Sequence, residues 1–332
     1  MRRVIVVGAG LFGLVIASRL AQRGITPLVA ARSGHDIPLD AEDDASIRTA
    51  LRSGDVIVDA AGPFGVRSTR LVRVAIERGC DVIDISESLA WSEAIIALGQ
   101  RAADAGISLY PACSAIAAVA GACIRASGFA APTEVDLFLA PASADTASAG
   151  TVHGLLSSVG GTIRTLRDGR ISSVRGYIET RPFPGGRRRG GVVEHAGAVL
   201  LPRSWPSLQR ADFWVDPNSP LGSIGLFAAA RIPVLAALAR AIGPVIGPGP
   251  MARHDGEFAV HVSERGRGAS YVFSAARFSY LVAVEPAVIA AEALARGASV
   301  PAGVIMPHAQ IDHEELFTRL RGLGIEIVTT TT

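Results

Sequence analysis

The chain has 332 residues, of which 49% are hydrophobic and 19% are charged. A length of 332 residues is more than one hydrophobic core usually covers, so we expect two domains. Its formal net charge is only +2, with 32 basic and 30 acidic side chains, which argues against a nucleic-acid binder. The cysteines, Cys80, Cys113 and Cys123, show neither metal-ligand spacing nor an even disulfide framework, so we expect no metal, and a reducing cytoplasm is the simplest compartment.

Two apolar runs imitate export or membrane segments. The first, residues 1–17, carries glycines at dinucleotide-loop spacing and no cleavage site, so we predict no signal peptide. The second, residues 221–251, is broken by arginines and prolines, whereas a membrane span needs about 20 uninterrupted apolar residues. We therefore expect no span, and a peripheral membrane contact by this segment is the less favoured alternative.

Short apolar strands alternate with helices over the first third of the chain. The predicted strands are 3–8, 27–31, 37–39, 55–60, 81–85 and 107–110. The predicted helices are 11–23, one capped by Asp44 or Ser46 and running to about Leu51, 67–78 and 90–105. This alternation predicts an α/β fold with a Rossmann-type doubly wound parallel sheet. Only about five residues separate the second and third strands, so the usual crossover helix is predicted to be missing there.

The pattern changes after about residue 116. Strands with period-two alternation are predicted at 134–140, 171–177, 209–215, 257–263 and 269–277, with a hairpin turn at 265–268. Helices are predicted at 151–166, 221–246, 284–296 and 314–322. We therefore predict a Rossmann domain over 1–116 that is completed by 284–332, and a second α+β domain over 117–283 with a mainly antiparallel sheet. The second domain would serve substrate binding or dimerisation, and a homodimer is compatible with the sequence.

Three glycines follow the first strand in the run Gly8-Ala9-Gly10-Leu11-Phe12-Gly13. The G-x-G-x-x-G spacing is weak evidence alone, but here it lies between a buried strand and an amphipathic helix. Gly8 would permit the tight turn, Gly10 would let a pyrophosphate approach the backbone, and Gly13 would let helix and strand pack closely. The alternative is a glycine-rich turn without a ligand. We favour a dinucleotide site, because the helix N-terminus would offer free N–H groups to phosphates.

The end of the second strand predicts the choice of cofactor. An NAD site usually has an acid there, but this sequence has Arg32-Ser33, with no acid before Asp36. Arg32 and Ser33 can bind a 2′-phosphate, so we predict NADP(H), with NAD still allowed. The alternative for Arg32 is a solvated surface side chain. Asp40, after the third strand, is a further candidate for cofactor binding.

Two more candidate segments follow later strands. Ala61-Gly62-Pro63-Phe64 would let the chain pass close to the ribose or nicotinamide, although turn formation alone also explains Gly-Pro. Ser86 and Glu87 follow the fifth strand, at the edge where open α/β sheets bind ligands. Glu87 is the first candidate for proton transfer, or for holding a substrate amine. Its alternative role is a helix N-terminal acid favoured by the helix dipole.

These residues resemble the saccharopine dehydrogenase-like oxidoreductases. The resemblance is carried by residues 4–13, 55–64 and 79–87, and by the C-terminal pieces 280–284, 301–304 and 324–325. It implies a Rossmann domain, an inserted α/β substrate domain and a C-terminal segment that returns to the first domain. One departure is the segment 111–116, Pro-Ala-Cys-Ser-Ala-Ile, which lacks the acid that relatives often carry near the nicotinamide. Residues 145–151 loosely resemble a segment of relatives that act on lipid-like enoyl substrates.

For the other residues with reactive or charged side chains, a structural role is the alternative to a functional one. His153 follows that segment and is a candidate catalytic residue, although a lone histidine is more often structural. Cys113 is expected to be small and buried, and Ser114 to cap a helix. His261 would line the pocket or meet solvent. Residues 187–189, Arg-Arg-Arg between glycines, would close over an anionic substrate or, as we favour, form a solvated loop.

The sequence therefore predicts an NADP(H)-dependent oxidoreductase that acts on a small-molecule substrate. The bond reduced or oxidised would be C=N, C=O or the C=C of an enoyl group. The apolar segment 221–247 favours an apolar substrate. The alternative is a non-catalytic NADP(H)-binding regulatory or sensor protein on the same scaffold.

Overall fold

The structure, a computed structural model, describes residues 1–141, 156–186, 188–218, 220–232, 234, 256–277 and 279–332. The chain forms two compact units. The first consists of Met1–Ala122 and Ala283–Leu316, and the second of Cys123–Val282 and Phe317–Thr332. The tail predicted to belong wholly to the Rossmann domain is thus divided, because residues 317–332 belong to the second unit.

The first unit contains a sheet of seven strands that are all parallel. Its strands are β1 Val4–Val7, β2 Leu28–Ala31, β3 Ile37–Pro38, β4 Val56–Asp59, β5 Asp81–Asp84, β6 Ser108–Tyr110 and β15 Gly303–Val304. They lie in the order β15-β6-β5-β4-β1-β2-β3. This confirms the predicted doubly wound sheet and adds one edge strand, β15, that is too short to show in the sequence pattern.

Helices connect these strands. They are α1 Leu11–Gln22, α2 Asp44–Ala50, α3 Arg70–Glu77, α4 Leu89–Ala97, α5 Gly99–Asp104, α6 Ala120–Ala126, α9 Leu281–Ala295 and α10 Pro307–Gln310, and a π-helical turn spans Ala115–Val119. All four residues of β1 are buried, as are all four of β4 and β5, so the apolar residues of these strands are consecutive instead of alternating with polar ones. Residues 32–36, all described, form a bend instead of a crossover helix.

Ion pairs attach the returning C-terminal segment to α1. Arg19 pairs with the buried Glu285 at 3.2 Å, and Arg23 pairs with Glu292 at 3.0 Å, both glutamates lying on α9. Arg296 pairs with Glu292 as well, at 2.9 Å. The C-terminal end of the helix that would bind a pyrophosphate is therefore fixed by residues from far along the chain.

The second unit contains a mixed, mainly antiparallel sheet of nine strands, as predicted. The strands are β7 Glu134–Ala140, β8 Thr162–Arg167, β9 Arg170–Arg175, β10 Thr180–Pro182, β11 Arg189–Val193, β12 Arg210–Val215, β13 Gly256–Glu264, β14 Arg267–Ala275 and β16 Glu326–Thr331. Seven lie in the order β10-β11-β12-β7-β13-β14-β16, and β8 pairs with β12 and β9. Its helices are α7 Gly197–Ser204, α8 Pro220–Arg231 and most of α11 His313–Gly322.

Two buried carboxylates lie side by side on this sheet, Asp136 on β7 and Asp212 on β12. Arg210 is 3.2 Å from the Asp136 carboxylate and 3.5 Å from that of Asp212. Arg181 contacts Asp136 at 2.7 Å, and Arg167 contacts Asp212 at 3.1 Å. Burial raises the pKa of Asp212 to about 6, and the neighbouring arginines limit that rise.

Several local predictions are wrong. The helix predicted over 151–166 is wrong where it overlaps Thr162–Arg167, which forms β8 and pairs with β9 along its whole length. The helix predicted over 90–105 is interrupted at Leu98. Asp43, rather than Asp44 or Ser46, caps α2 by accepting from the Ala45 N–H at 3.0 Å.

Candidate functional site

The carboxyl ends of the parallel strands bring the candidate cofactor residues to one edge of the first unit. Val7 at the end of β1 is paired in register with Asp59 at the end of β4, which is paired with Asp84 at the end of β5. The segments that follow these strands therefore begin side by side. This is the edge at which open α/β sheets bind nucleotides.

The three glycines of the loop differ in their backbone φ angle and in the space available to a Cβ atom. Gly8 has a φ of +104°, and a Cβ there would lie 2.7 Å from the Ala61 nitrogen. A Cβ on Gly13 would lie 1.9 Å from the Gly8 carbonyl oxygen. Gly10 has an ordinary φ of −78° and nothing within 4 Å of a Cβ position. Gly8 and Gly13 are thus required by backbone packing, whereas Gly10 leaves an open space.

That open space lies at the N-terminus of α1, where Gly10 is the N-cap residue and no side chain caps the helix. The first turn of α1 contains no acidic residue. Free N–H groups and the positive end of the helix dipole therefore face a position that a side chain would otherwise fill. Ala9, Leu11 and Phe12 complete the loop and are all partly exposed. The arrangement fits the pyrophosphate of a dinucleotide.

Arg32 and Ser33 follow β2 and are exposed. Within the described part of the chain, Arg32 has no ion pair, so its guanidinium is available to a ligand. Asp36 does not compete for it, because its carboxylate accepts a hydrogen bond from the Val29 N–H at 2.8 Å. Asp40 forms a local turn, in which its carboxylate accepts from the Glu42 N–H at 2.9 Å. A basic group without an acid at this position fits a 2′-phosphate.

The segment after β4 is held by an arginine that the sequence analysis missed. Arg67 forms a two-pronged ion pair with the fully buried Asp59, at 2.9 and 3.0 Å, and also donates to the Ala61 carbonyl. Its guanidinium lies 5.5 Å from the ring centre of Phe64 and 5.2 Å from that of Trp91. Phe64 packs edge-on against Trp91, with 5.1 Å between ring centres.

Burial lowers the pKa of the Arg67 guanidinium, but Asp59 and Glu42 raise it by more. The contacts of Arg67 with the Ala61 carbonyl and with the Phe64 ring fix both ends of the run Ala61-Gly62-Pro63-Phe64. This run includes a cis peptide bond between Gly62 and Pro63. The Gly62 N–H also donates to the Ala60 carbonyl at 3.1 Å.

The two candidate residues that follow β5 differ in their exposure to solvent. Ser86 is fully buried, and its hydroxyl accepts from the Ser88 N–H at 3.0 Å. Glu87 is exposed and immediately precedes Ser88, the residue that caps α4. Desolvation by nearby protein atoms raises the pKa of the Glu87 carboxyl group. Of the two side chains, Glu87 is the one exposed to solvent.

Asp84, at the end of β5, is a titratable residue that the sequence analysis missed. Burial raises the pKa of its carboxyl group from the ordinary 3.8 to about 7, although hydrogen bonds from the backbone of Ala112 and Ser86 lower it. The neighbouring Asp59 adds to the rise. A signal was present, because the apolar runs of β4 and β5 both close on Asp.

The raised pKa of Asp84 predicts how stability depends on pH. Between pH 3.8 and about 7, the native carboxyl group keeps its proton while the unfolded one loses it, so stability falls as the pH rises through this window. Asp84→Asn removes that loss, and we expect it to be more stable than wild type above pH 7, by up to about 4 kcal/mol. Urea unfolding at pH 4, 6 and 8 measures this difference, and an unchanged difference at all three values would contradict it.

The remaining candidates are scattered. His153, residues 145–151 and Arg187 lie outside the described residues. Cys113 is buried, and burial raises the pKa of its thiol, so it stays protonated. Ser114 precedes the π-helical turn but forms no side-chain cap, contrary to prediction.

In the second unit, the His261 ring contacts the hydroxyls of Ser270 at 2.8 Å and Ser263 at 3.1 Å. Arg189 donates to the Thr180 hydroxyl at 2.7 Å. Arg188 donates to the side chain of Asn218 at 2.5 Å. These local hydrogen bonds are consistent with structural roles for the three basic residues.

Comparisons with known proteins find a family match within the first unit. Residues 4–109 match the family model of the saccharopine dehydrogenase NADP binding domain. The match confirms the predicted resemblance and the predicted NADP cofactor, and it supports placing the chain among NAD(P)-dependent oxidoreductases. A lipid droplet localized protein of Caenorhabditis elegans is 25% identical over 109 residues, which is 31% of this chain and 26% of that protein. The match thus spans about a quarter of the curated relative's length.

Solved oxidoreductases resemble the chain at low sequence identity. A UDP-N-acetylglucosamine 3-dehydrogenase from Acidithiobacillus ferrooxidans is 12% identical, with 96% of this chain and 95% of that chain covered and a TM-score of 0.41. A dihydrodipicolinate reductase from Paenisporosarcina sp. TG-14 is 11% identical, with 92% and 97% covered and a TM-score of 0.39. Likeness at this level says nothing about the substrate.

None of the helices in the described part of the chain has the length and hydropathy that crossing a lipid bilayer requires.

Proposed function

We propose that this chain, whose first third matches a saccharopine dehydrogenase-type NADP binding domain, is an NADP(H)-dependent oxidoreductase of a small metabolite. The bond acted on is C=N, C=O or the C=C of an enoyl group. The observation that carries the proposal is the combination of an open Gly10 at an uncapped helix N-terminus with Arg32, which has no ion pair in the described residues.

The proposed cofactor site has three parts. The loop Gly8–Gly13 takes the pyrophosphate, and Arg32 and Ser33 take the 2′-phosphate, with Asp40 nearby in the chain. Ala61, Gly62, Pro63, Phe64 and Ser86 border the ribose and nicotinamide. Ser86 and Phe64 act through the backbone and packing they stabilise, because Ser86 is buried and Phe64 packs against Trp91.

The bound cofactor supplies the hydride, and the protein must orient the substrate and manage one proton. Glu87 is the proposed proton-transfer residue, because it is an exposed carboxyl group at the carboxyl edge of the sheet. His153 is the second candidate from the sequence. An exposed carboxylate can equally hold a substrate amine, which favours imine or amino-acid-type substrates over enoyl groups.

Arg32→Ala is expected to weaken NADPH binding by about tenfold to a hundredfold, because a hydrogen bond to a charged phosphate contributes about 1.5–3 kcal/mol. NADH has no 2′-phosphate, so its dissociation constant should hardly change. Calorimetric titration of both nucleotides into both proteins measures the effect.

The matched control is Arg48→Ala, another exposed arginine of the first unit, which pairs with Glu77 away from the carboxyl edge. It should leave both dissociation constants unchanged. Equal affinity of wild type for NADPH and NADH would remove the role of Arg32, and no heat with either nucleotide would remove the proposed function.

The second candidate function is a non-catalytic NADP(H) sensor. It is favoured by the turn after β6, Pro111–Ser114, which brings no acid or base other than a buried thiol to the nicotinamide side. NADPH oxidation against a panel of imines, ketones and enoyl thioesters separates the two functions. Tight NADPH binding without turnover of any compound would favour the sensor.

A further inference from the structure

The chain leaves β6 through a strained turn, Pro111–Ser114. Ala112 has a φ of +48°, in the left-handed region that residues with a side chain rarely adopt. The Ser114 N–H donates to the Ala112 carbonyl at 2.6 Å, and the π-helical turn Ala115–Val119 follows directly. Strained backbone and π-helical turns persist only where surrounding contacts hold them, and they occur often at functional sites.

Asp84 provides most of the contacts that hold this turn. One carboxylate oxygen accepts from the Ala112 N–H at 2.9 Å and from the Ser86 N–H at 3.0 Å. The backbone carbonyl of Asp84 accepts from the Cys113 N–H at 2.7 Å. On the other side, the Gln310 amide donates to the Pro111 carbonyl at 2.7 Å. Asp84 therefore ties together the segments that follow β5 and β6.

The strand order indicates which part of the cofactor meets these segments. The pyrophosphate site at the α1 N-terminus lies between the ends of β1 and β4, and Arg32 follows β2 on one side of it. The adenosine half then occupies the β2–β3 side, which leaves the β4–β5–β6 side for the nicotinamide. The turn held by Asp84 is on that side.

The charges around Asp84 leave it without a cation. Asp59 on β4 is its acidic neighbour, and that carboxylate is neutralised by Arg67. The turn contributes the Cys113 thiol, whose raised pKa keeps it neutral, and α4 contributes the uncharged indole of Trp91. Among the described residues, no arginine or lysine pairs with Asp84. Among these described groups, its negative charge, when present, is met by the N–H groups of Ala112 and Ser86 and by no ion pair.

We propose that Asp84 is a positioning residue of the cofactor site, which fixes the backbone beside the nicotinamide and, when ionised, favours the positively charged oxidised ring over the neutral reduced ring. The inference rests on the proposed function. Burial raises the pKa of this carboxyl group to about 7, so the preference for NADP⁺ over NADPH should strengthen as the pH rises through that value.

The test compares dissociation constants of NADP⁺ and NADPH between pH 6 and pH 8.5. For wild type, the ratio of the NADP⁺ constant to the NADPH constant should fall by about threefold to tenfold as the pH rises. The 2′-phosphate titrates in the same range, but it is common to both nucleotides and cancels in the ratio. Asp84→Asn keeps an oxygen that can accept both N–H groups, so it should bind both nucleotides with a ratio that does not change with pH.

The matched control is Asp81→Asn, at the opposite end of the same strand, where the carboxylate accepts from the Ser108 N–H at 2.6 Å and pairs with Arg2. It should keep the wild-type slope. A flat ratio in wild type, which needs no variant, would overturn the inference, and so would the same slope in Asp84→Asn. Binding of both nucleotides with a flat ratio would leave the proposed function standing, whereas absence of binding would remove both.

Discussion

Gly10→Ala is expected to fold normally and to weaken NADPH binding by about a hundredfold or more. Gly10 has a φ of −78°, which alanine adopts freely, and an added Cβ meets nothing within 4 Å, so the change should cost at most about 1 kcal/mol of stability. The same Cβ would stand where the pyrophosphate must approach the N–H groups of α1. Calorimetric titration and urea unfolding together measure both quantities.

Gly13→Ala provides the contrast, because its Cβ would lie 1.9 Å from the Gly8 carbonyl oxygen. The backbone must shift to admit it, and we expect a loss of about 3 kcal/mol of stability along with nucleotide binding. If Gly10→Ala were destabilised as much as Gly13→Ala, or if it bound NADPH like wild type, the open space at Gly10 would not be the pyrophosphate site.

Arg67→Met is expected to lower the free energy of unfolding by about 3–5 kcal/mol, because it leaves the fully buried Asp59 carboxylate without its partner. Methionine preserves much of the packing against Phe64 and Trp91, so the loss should reflect charge. Urea unfolding near neutral pH measures it.

The double variant Arg67→Met with Asp59→Asn tests that reason. Removing both charges should recover at least half of the lost stability, since a neutral pair is far less costly to bury than a lone carboxylate. If instead the stability lost in the double variant equals the sum of the losses in Arg67→Met and Asp59→Asn, Arg67 acts through packing alone. NADPH affinity should fall in Arg67→Met, because Arg67 also holds the Ala61 carbonyl.

The cofactor loop could be predicted from sequence because its physical requirements are local. A buried strand, three spaced glycines and an amphipathic helix all fall within residues 4–22. The absence of an acid beside Arg32 is likewise visible in a few consecutive letters. The π-helical turn after Ser114 was not predicted, because it depends on contacts from β5 and from residues near 310.

Other parts of the site depend on burial, which spacing does not reveal. Asp59 and Asp84 look alike at the ends of two apolar strands, yet one has an arginine partner and the other has none. Arg67 is one of many arginines in the sequence, and only the folded loop brings it over Phe64 and Trp91. In the second unit, the helix predicted over 151–166 does not extend into Thr162–Arg167, because Gly160 has a φ of +64° and the strand begins two residues later.

The division of the tail between the two units has a topological consequence. The backbone passes from one unit to the other three times, after Ala122, Val282 and Leu316. Neither unit is a continuous stretch of chain, so a single proteolytic cut cannot release either of them intact. Loss of residues 317–332 would strip β16 from the edge of the antiparallel sheet and leave the nucleotide-binding unit with all of its strands.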